Sequence, residues 1–350
     1  MIATRAFAAA PPEHRGVPRD GVRLLVARTP VDLRHRTFRD LADELVPGDL
    51  VVVNTSATIA GEADATSTSR GAVVVHVATR LDDGSWVVEL RTAPDGARAI
   101  LDAESGETLL LDGATLTIQG PYGVSTSSAA GGNSPTGAGN RLWSATASGD
   151  LPATMARIGR PIAYGYLDRR FPLADYQTVF GIDPGSAEMP SAARPFTTAL
   201  ITDLIAKGIG VSAITLHTGL SSQEAGETPQ AERFRVPRAT AEAVNATKAR
   251  GGRVVAVGTT VTRALESAVD RKGRVHQSSG WTERVISRDD PARVVDGLVT
   301  GWHDPEASHL MLVESVAGQE LTRAAYEAAY EAGYLWHEFG DSALLLPERG

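Results

Sequence analysis

The feature that most constrains the fold is a regular alternation of helix-like and strand-like segments in the second half of the chain. A helical pattern at 197–208 precedes a strand-like run at 211–219, and a second helical pattern at 238–252 precedes the strand-like run "RVVAVG" at 253–258. A further helical pattern follows at 260–270. Strands separated by helices form parallel sheets with helical crossovers, so this pattern predicts an α/β sheet.

Two strand-like runs near the N-terminus are predicted to complete the same sheet. They are "RLLVA" at 23–27 and "LVVVN" at 50–54, and a helical pattern, "TFRDLADEL", lies between them. Thr37 and Asp40 have the spacing of a capping box, which predicts that this helix begins after Thr37.

The segment 60–150 has a different texture. Strand-like runs such as "GAVVVHVATR" and "SWVVELRT" are separated by Gly and Asp turns, without an amphipathic helical pattern. We predict an inserted all-β, barrel-like domain at 60–150, with a flexible Gly/Ser-rich loop at 125–139. The α/β domain is then discontinuous and consists of residues 1–59 and 151–350.

Composition excludes several classes of protein and of site. The 350 residues include no cysteine, which excludes disulfides and thiolate zinc sites. Nothing approaches 18 consecutive apolar residues, so we expect no membrane span and a cytoplasmic location. The formal net charge of −8 argues against extensive nucleic-acid binding, although a local basic patch stays possible.

The strongest chemical signal is the strand–glycine–helix pattern around Gly258. Thr259 and Thr260 begin a predicted helix, and the free N–H groups at a helix start favour anions. Arg263 lies in the first turns of that helix, where a guanidinium could hold a carboxylate through two hydrogen bonds. The alternative is an ordinary helix cap, with Arg263 and Glu266 forming a surface pair.

Two histidines follow strand-like runs. His217 ends "AITLH" and His303 lies in the turn "TGWHDP", so either could serve as a base, since imidazole titrates near neutral pH. The alternative is a structural role for each. Asp296 or Asp304 could complete a metal site with them, but no short-spaced ligand motif such as H-E-x-x-H is present, and we predict no metal.

Several stretches taken together resemble one family. In order they include "PRDGVRLLV", "LRHRTFRDLADELVPGDLVVVN", "DYQTVF", "KGIGVSAITLHTGL", "GGRVVAVGTTVTRALESA", "RVVDGLVTGWHDP" and "FGDSALLL". They are similar to the S-adenosylmethionine:tRNA ribosyltransferase-isomerases of queuosine biosynthesis. The resemblance covers most of the chain.

The resemblance implies a fold, a reaction and a site. The fold would be an α/β domain carrying an inserted β-barrel. The reaction would move the ribosyl part of S-adenosylmethionine, a co-substrate, onto a 7-aminomethyl-7-deazaguanine base in tRNA, releasing adenine and methionine. The predicted site comprises catalytic His217, Asp296 and His303, S-adenosylmethionine-binding Gly258, Thr259, Thr260 and Arg263, and substrate-binding Arg19, Tyr176, Gln177 and Arg194.

Departures from the family pattern concentrate in presumed site loops. Within "GSAEMPSAARPFT", Arg194 and Pro195 stand where the family has leucine and histidine. Ala57 and Glu62 replace two expected arginines, which predicts weaker contacts to phosphate and therefore to tRNA. Three hypotheses therefore stay open: the family's own tRNA reaction, a divergent paralogue that uses S-adenosylmethionine on a small molecule, and a binding protein without catalysis.

Overall fold

The computed structural model describes residues 6–123, 140–220, 230–303 and 309–348. The loop predicted at 125–139 lies outside these ranges, as does Asp304.

The described residues form nineteen strands. In chain order they are β1 Ala6–Phe7, β2 Arg23–Thr29, β3 Asp32–Thr37, β4 Leu50–Asn54, β5 Ser56–Thr58, β6 Glu62–Ser67, β7 Gly71–Arg80, β8 Trp86–Thr92, β9 Thr108–Leu111, β10 Ala114–Pro121, β11 Leu142–Gly149, β12 Asp183–Ser186, β13 Gly210–Leu216, β14 Glu232–Val236, β15 Val254–Val257, β16 Ser278–Thr282, β17 Gly297–Gly301, β18 Leu335–Trp336 and β19 Ser342–Leu345.

The same ranges contain six α-helices. They are α1 Leu151–Ile158, α2 Thr198–Ala206, α3 Arg238–Ala249, α4 Thr259–Ser267, α5 His309–Ala317 and α6 Gln319–Glu331.

A nine-stranded sheet forms the centre of the α/β part, in the order β16-β14-β13-β4-β15-β17-β19-β2-β3. Strands β13, β4, β15 and β17 are mutually parallel, and β14 is antiparallel to both of its neighbours. Strand β19 is antiparallel to β17 and parallel to β2. All five residues of β4 are buried, as expected for a central parallel strand covered on both faces. The predicted α/β sheet, including its N-terminal strands, is confirmed.

The two faces of the sheet pack into separate cores. Leu50 and Val52 join one apolar cluster with residues of α3 and α4, whereas Val51 and Val53 join another with Phe38 and residues of α2. The alternation follows from the two-residue period of a strand. The helix predicted after Thr37 is a 3₁₀ helix, Phe38–Glu44, and the capping box is present, with the Thr37 N–H donating to Asp40 at 3.0 Å.

The inserted part is a closed six-stranded barrel in the order β10-β11-β8-β7-β6-β9, and this confirms the predicted all-β insert. Its entry and exit meet at one point. The Glu62 N–H donates to the Arg160 carbonyl at 2.9 Å, and the Arg160 N–H donates back to the Glu62 carbonyl at 2.8 Å.

An ion pair fastens the start of β2 to the turn before β19. The Asp341 carboxylate accepts from the backbone N–H of Arg23 at 2.8 Å and from its guanidinium at 2.9 and 3.0 Å. The Leu335 N–H adds a further bond at 2.9 Å. Arg23 and Asp341 both belong to stretches that resemble the family, and here their role is to hold the sheet together.

Candidate active site

The carboxyl ends of the parallel strands bring several of the predicted site residues to one edge of the sheet. Asn54 ends β4, His217 follows β13, Gly258 follows β15, and His303 lies just beyond β17. Ligands of open α/β sheets bind at this edge. Asn54 is fully buried and ties two strands together, donating to the Leu216 carbonyl at 2.8 Å and accepting from the Leu216 N–H at 3.0 Å.

His217 is held by a chain of buried hydroxyls. Its Nδ1 lies 2.7 Å from the Ser56 Oγ, which lies 2.7 Å from the Ser186 Oγ. Gly185 packs against the ring, because a Cβ built there would lie 2.5 Å from Nδ1. Burial lowers the pKa of His217, and Arg233 and Arg235 lower it further, while Asp183 opposes the change, so the imidazole is neutral near pH 7.

His217 lines an open cleft of about 340 Å³ beside β14 and the edge strand β16. Trp281 forms another wall, and its indole N–H donates to Asp82 of the barrel at 2.8 Å. The guanidinium of Arg233 lies 5.1 Å from the centre of the Trp281 ring. The cleft is therefore bounded by both parts of the molecule.

Gly258 begins α4 with φ of +90°, a conformation that glycine adopts without strain. A Cβ at this position would also lie 3.4 Å from the Cβ of Ala192 in the altered loop. Thr259 and Thr260 supply the first amides of the helix, and the Thr260 Oγ1 accepts from the Asn54 side chain at 3.4 Å. This helix start thus faces the carboxyl edge, as the sequence predicted.

Arg263 does not reach that edge as a free cation. Its side chain is 8% exposed, and its Nη1 donates to Glu232 at 2.6 Å. The remaining bonds go to the backbone carbonyls of Gln230, Thr282 and Arg284 at 2.5, 3.0 and 3.1 Å. The buried guanidinium therefore already has a carboxylate partner. Through these bonds Arg263 fastens α4 to strands β14 and β16. The predicted surface pair with Glu266 is also absent, since the Glu266 carboxylate accepts from the N–H groups of residues 294 and 295 at 2.8 and 3.1 Å.

His303 lies near the carboxyl end of β17. Its Nε2 is 3.1 Å from the Thr300 Oγ1, and its ring stacks on His309 with centroids 4.8 Å apart and an interplanar angle of 6°. Burial lowers the pKa of His303 well below its ordinary value, and His309 and His337 lower it further. His303 is therefore neutral near pH 7.

Asp296 lies at the opposite edge of the sheet, because it precedes β17 whereas His303 follows that strand. Its carboxylate binds Lys248 at 2.6 Å and accepts from the Val254 N–H at 2.8 Å. A five-residue strand spans roughly 17 Å, so the structure does not bring Asp296 together with His217 or His303.

Tyr176 and Gln177 precede the altered loop and pack against β5. The Gln177 side chain clamps the backbone of Thr58, donating to its carbonyl at 2.8 Å and accepting from its N–H at 3.2 Å. Tyr176 is 1% exposed and meets the Phe339 ring edge-on at 5.1 Å. Neither side chain is placed as an open stacking surface for a nucleobase.

Arg194 is an internal part of the altered loop. It is 2% exposed, donates to Glu13 at 3.0 Å and to the Asp175 carbonyl at 2.8 Å, and lies over the Phe339 ring. Arg19 also binds Glu13, at 2.9 Å. The two predicted substrate-binding arginines therefore share one carboxylate, and Arg194 stabilises the loop conformation.

Two departures from the family pattern lie at one cavity. Arg194 and Pro195 line a small cavity of about 10 Å³, together with Ser191, Gly301 and Glu338. The altered loop and the end of β17 thus line the same cavity near the carboxyl edge.

The sequence analysis missed a cluster of tyrosines and carboxylates next to this cavity. Tyr166 donates to Glu338 at 3.3 Å, and Tyr164 donates to Glu188. The two tyrosine rings stack with centroids 5.9 Å apart, and His337 stacks on Tyr166 at 4.5 Å. Their position in unrelated segments of the sequence gave no signal that they would meet.

The carboxyl group of Glu338 lies in an environment that favours its neutral form. Burial and the nearby charge of Glu188 raise its pKa from 4.5 to about 8, while the hydrogen bond from Tyr166 and the charge of Arg194 oppose the change. His337, the residue before it, has φ of +72°, which is uncommon outside glycine. Strained backbone of this kind concentrates at functional positions.

Glu62 adds no exposed negative charge to the protein. It is fully buried, and its carboxylate binds Arg160 and Arg170, each at 2.7 Å, as well as His76 at 3.2 Å. A buried carboxylate with these partners does not repel phosphate. The weaker phosphate contact expected from the two missing arginines stays a prediction.

Within the described ranges, no group of three or more histidine, aspartate or glutamate side chains is arranged to hold a metal ion. The helices of that same part of the chain include none that is long and apolar enough to cross a membrane.

Comparison with known proteins decides the family. A family model described as queuosine biosynthesis protein matches residues 2–345. The chain belongs to this family. The resemblance found in the sequence is thereby confirmed.

Relatives within the queuosine biosynthesis family match over nearly their whole length. The S-adenosylmethionine:tRNA ribosyltransferase-isomerase of Pelotomaculum thermopropionicum is 33% identical over 343 residues, covering 94% of each chain. That of Methylobacterium radiotolerans is 36% identical over 342 residues, covering 94% of this chain and 92% of the relative. The crystal structure of S-adenosylmethionine tRNA ribosyltransferase from Thermotoga maritima matches with a TM-score of 0.52 and 26% identity, covering 99% of both chains.

Proposed function

We propose that this protein is an S-adenosylmethionine:tRNA ribosyltransferase-isomerase. It transfers the ribosyl group of S-adenosylmethionine to a 7-aminomethyl-7-deazaguanine base in tRNA, and adenine and methionine are released. The observation that carries the proposal is the full-length match to relatives of that name, on a chain whose barrel and sheet match the family's solved fold. Since tRNA is modified in the cytoplasm, we expect the enzyme to act there.

The altered loop does not favour a different acceptor. Arg194 of this loop is paired with Glu13 inside the protein, and the buried Glu62 adds no exposed negative charge, so neither residue supplies a feature that selects another acceptor. The proposal with tRNA therefore takes precedence over a small-molecule acceptor and over a protein without catalysis.

The chemistry needs three kinds of group, and the carboxyl edge supplies candidates for each. The sulfonium of S-adenosylmethionine acidifies the adjacent hydrogens, so a group must accept a proton, and a carboxyl with its pKa near working pH suits this task. Glu338, with its pKa raised to about 8, is our candidate from the structure. His217 and His303 are candidates for contacts with the departing groups.

The methionine carboxylate needs a positively polarised partner. We propose that the amides of Thr259 and Thr260 at the start of α4 provide it, because a helix N-terminus stabilises negative charge. Arg263 would then act indirectly, by fixing α4 through its bond to Glu232.

Product release tests the proposal directly. The purified protein is incubated with S-adenosylmethionine alone, and with tRNA that carries the aminomethyl-deazaguanine base, and adenine and methionine are followed by chromatography. We expect release that depends on the modified tRNA. Binding of S-adenosylmethionine by calorimetry without release would instead indicate another acceptor, and absence of both would leave a protein without catalysis.

A further inference from the structure

The hydrogen bonds around His217 determine which of its ring nitrogens carries the proton. The Thr218 N–H donates to the Ser186 Oγ at 3.0 Å, and this bond has only one possible direction. The Ser186 hydroxyl lies 2.7 Å from Ser56, and Ser56 lies 2.7 Å from the His217 Nδ1. Ser56 and Ser186 are both 0% exposed, so their hydroxyl protons must find acceptors inside the protein.

Only one direction of this series of hydrogen bonds gives every donor an acceptor. If the Ser186 O–H donates to Ser56, then the Ser56 O–H donates to Nδ1, and Nδ1 is an unprotonated acceptor. In the reverse direction Nδ1–H would donate to Ser56 and Ser56 to Ser186. The Ser186 proton would then lack an acceptor among the residues that the structure describes, and buried unsatisfied donors are rare.

We infer that Ser56 and Ser186 hold His217 as the Nε2–H tautomer, so that His217 presents a hydrogen-bond donor to the cleft. Nε2 has no hydrogen-bond partner within the described part of the chain, and the ring lines the cleft wall. A neutral imidazole in this tautomer does not accept a proton at Nε2. Ser56 and Ser186 are positioning residues in this arrangement, and Gly185 gives the ring its space.

The cleft's charges indicate the class of ligand that meets this donor. Arg233 binds Asp82, and Arg235 binds Asp183 at 3.4 Å, so the net charge of the four charged side chains that line the cleft is zero. A charge-balanced wall favours a neutral ligand over a phosphate, and the Trp281 indole offers an aromatic surface. The cleft therefore fits a neutral nitrogen heteroaromatic base that accepts a hydrogen bond from His217.

The identity of that base rests on the proposed function, in which adenine is the leaving group. When the bond between ribose and adenine breaks, the electron pair of that bond stays on an adenine ring nitrogen. A fixed neutral imidazole donor stabilises such developing negative charge without giving up its proton. The inference thus makes His217 a hydrogen-bond donor to the base and leaves proton abstraction to another group.

The tautomer is measured first, on the full chain. Protein labelled with ¹⁵N is examined by long-range ¹H–¹⁵N spectroscopy at pH 8, and the His217 signals are assigned by their loss in His217→Gln. We expect an unprotonated Nδ1 and a protonated Nε2. A protonated Nδ1 in the wild type overturns the inference. Because this measurement is made on the wild type, it does not depend on whether the serine variants fold.

Two serine variants separate positioning from general stability. Ser56→Ala removes the donor to Nδ1, so we expect a measurable Nδ1–H fraction and at least a fivefold lower kcat with KM changed less than twofold. Ser105→Ala is the matched control, because its hydroxyl binds the Gln119 carbonyl in the barrel. An unchanged His217 signal in Ser56→Ala, with the hydroxyl bond lost, would contradict the positioning role.

Adenine is the probe for the ligand class. We expect added adenine to shift the Nε2 proton of His217, with Trp281→Leu raising the half-saturating concentration at least fivefold. A shift with inorganic phosphate but not with adenine overturns the assignment of a neutral base. The tautomer and the response to adenine are both measured without turnover. If both are as expected and the tRNA assay fails, only the proposed function is refuted.

Discussion

Replacing Glu338 with glutamine should make the protein more stable at alkaline pH. Burial and Glu188 raise the pKa of Glu338 from 4.5 to about 8, so the folded state retains a proton that the unfolded chain releases above pH 4.5. The folded state therefore binds more protons between pH 4.5 and 8, and its stability falls as pH rises through this interval. Glutamine imitates the protonated form and does not titrate.

The size of the effect follows from the two pKa values. At about 1.36 kcal/mol per pH unit, the interval from 4.5 to about 8 corresponds to at most about 5 kcal/mol. Solvent around a half-buried carboxyl reduces this, and we expect about 2–5 kcal/mol above pH 8 and close to zero near pH 4.5. For 350 residues, at roughly 2.1 cal/mol/K each, this raises the midpoint of thermal unfolding by about 3–7 °C.

Thermal unfolding of the wild type and of Glu338→Gln, followed by circular dichroism at pH 5 and pH 8.5, measures the difference. Glu331→Gln is the matched control, because Glu331 is exposed at the end of α6. A difference between Glu338→Gln and the wild type that stays constant from pH 5 to 8.5 would refute the argument, since it would mean that Glu338 titrates alike in both states.

Three further substitutions test other parts of the site. Gly185→Ala places a Cβ 2.5 Å from the His217 ring and should lower turnover at least tenfold while the unfolding midpoint changes little; normal turnover would show that the ring has room to move. Arg263→Ala leaves the buried Glu232 without its cation and should cost about 3–5 kcal/mol of stability in urea unfolding, and an unchanged midpoint would contradict the structural role of this arginine. Asp341→Asn weakens the clamp between β2 and β19 and should cost about 2–4 kcal/mol by the same measurement, whereas a surface role predicts almost no loss.

The fold could be predicted because its signals are local. The alternation of helical and strand periods gives the parallel sheet, and the β-only texture gives the barrel. Strand β14 and the edge strand β16 were not predicted, because "ERFRV" of β14 carries charged residues on its exposed face and resembles a polar connector. Its partner in the sheet lies more than 40 residues away in the sequence, and no local pattern records that pairing.

The site was predicted only in part, because sequence position gives the edge of a sheet but not the partner of a side chain. His217 and the start of α4 were placed correctly at the carboxyl edge by their position after strands. The partner of Arg263 could not be predicted, since Glu232 lies 31 positions earlier in the sequence. The meeting of Glu338 with Tyr166 depends in the same way on a contact across 172 positions.

The paired hydrogen bonds between Glu62 and Arg160 make the barrel a detachable module. The chain leaves and re-enters the sheet domain at neighbouring backbone positions. The two ends of the barrel are therefore close together, and the sheet domain does not have to bridge a gap between them. Domains joined in this way can be exchanged or removed with little effect on the host core. A gene in which a short turn replaces the barrel should still encode a folded sheet, and its cleft beside His217 would lose the wall that Asp82 supplies.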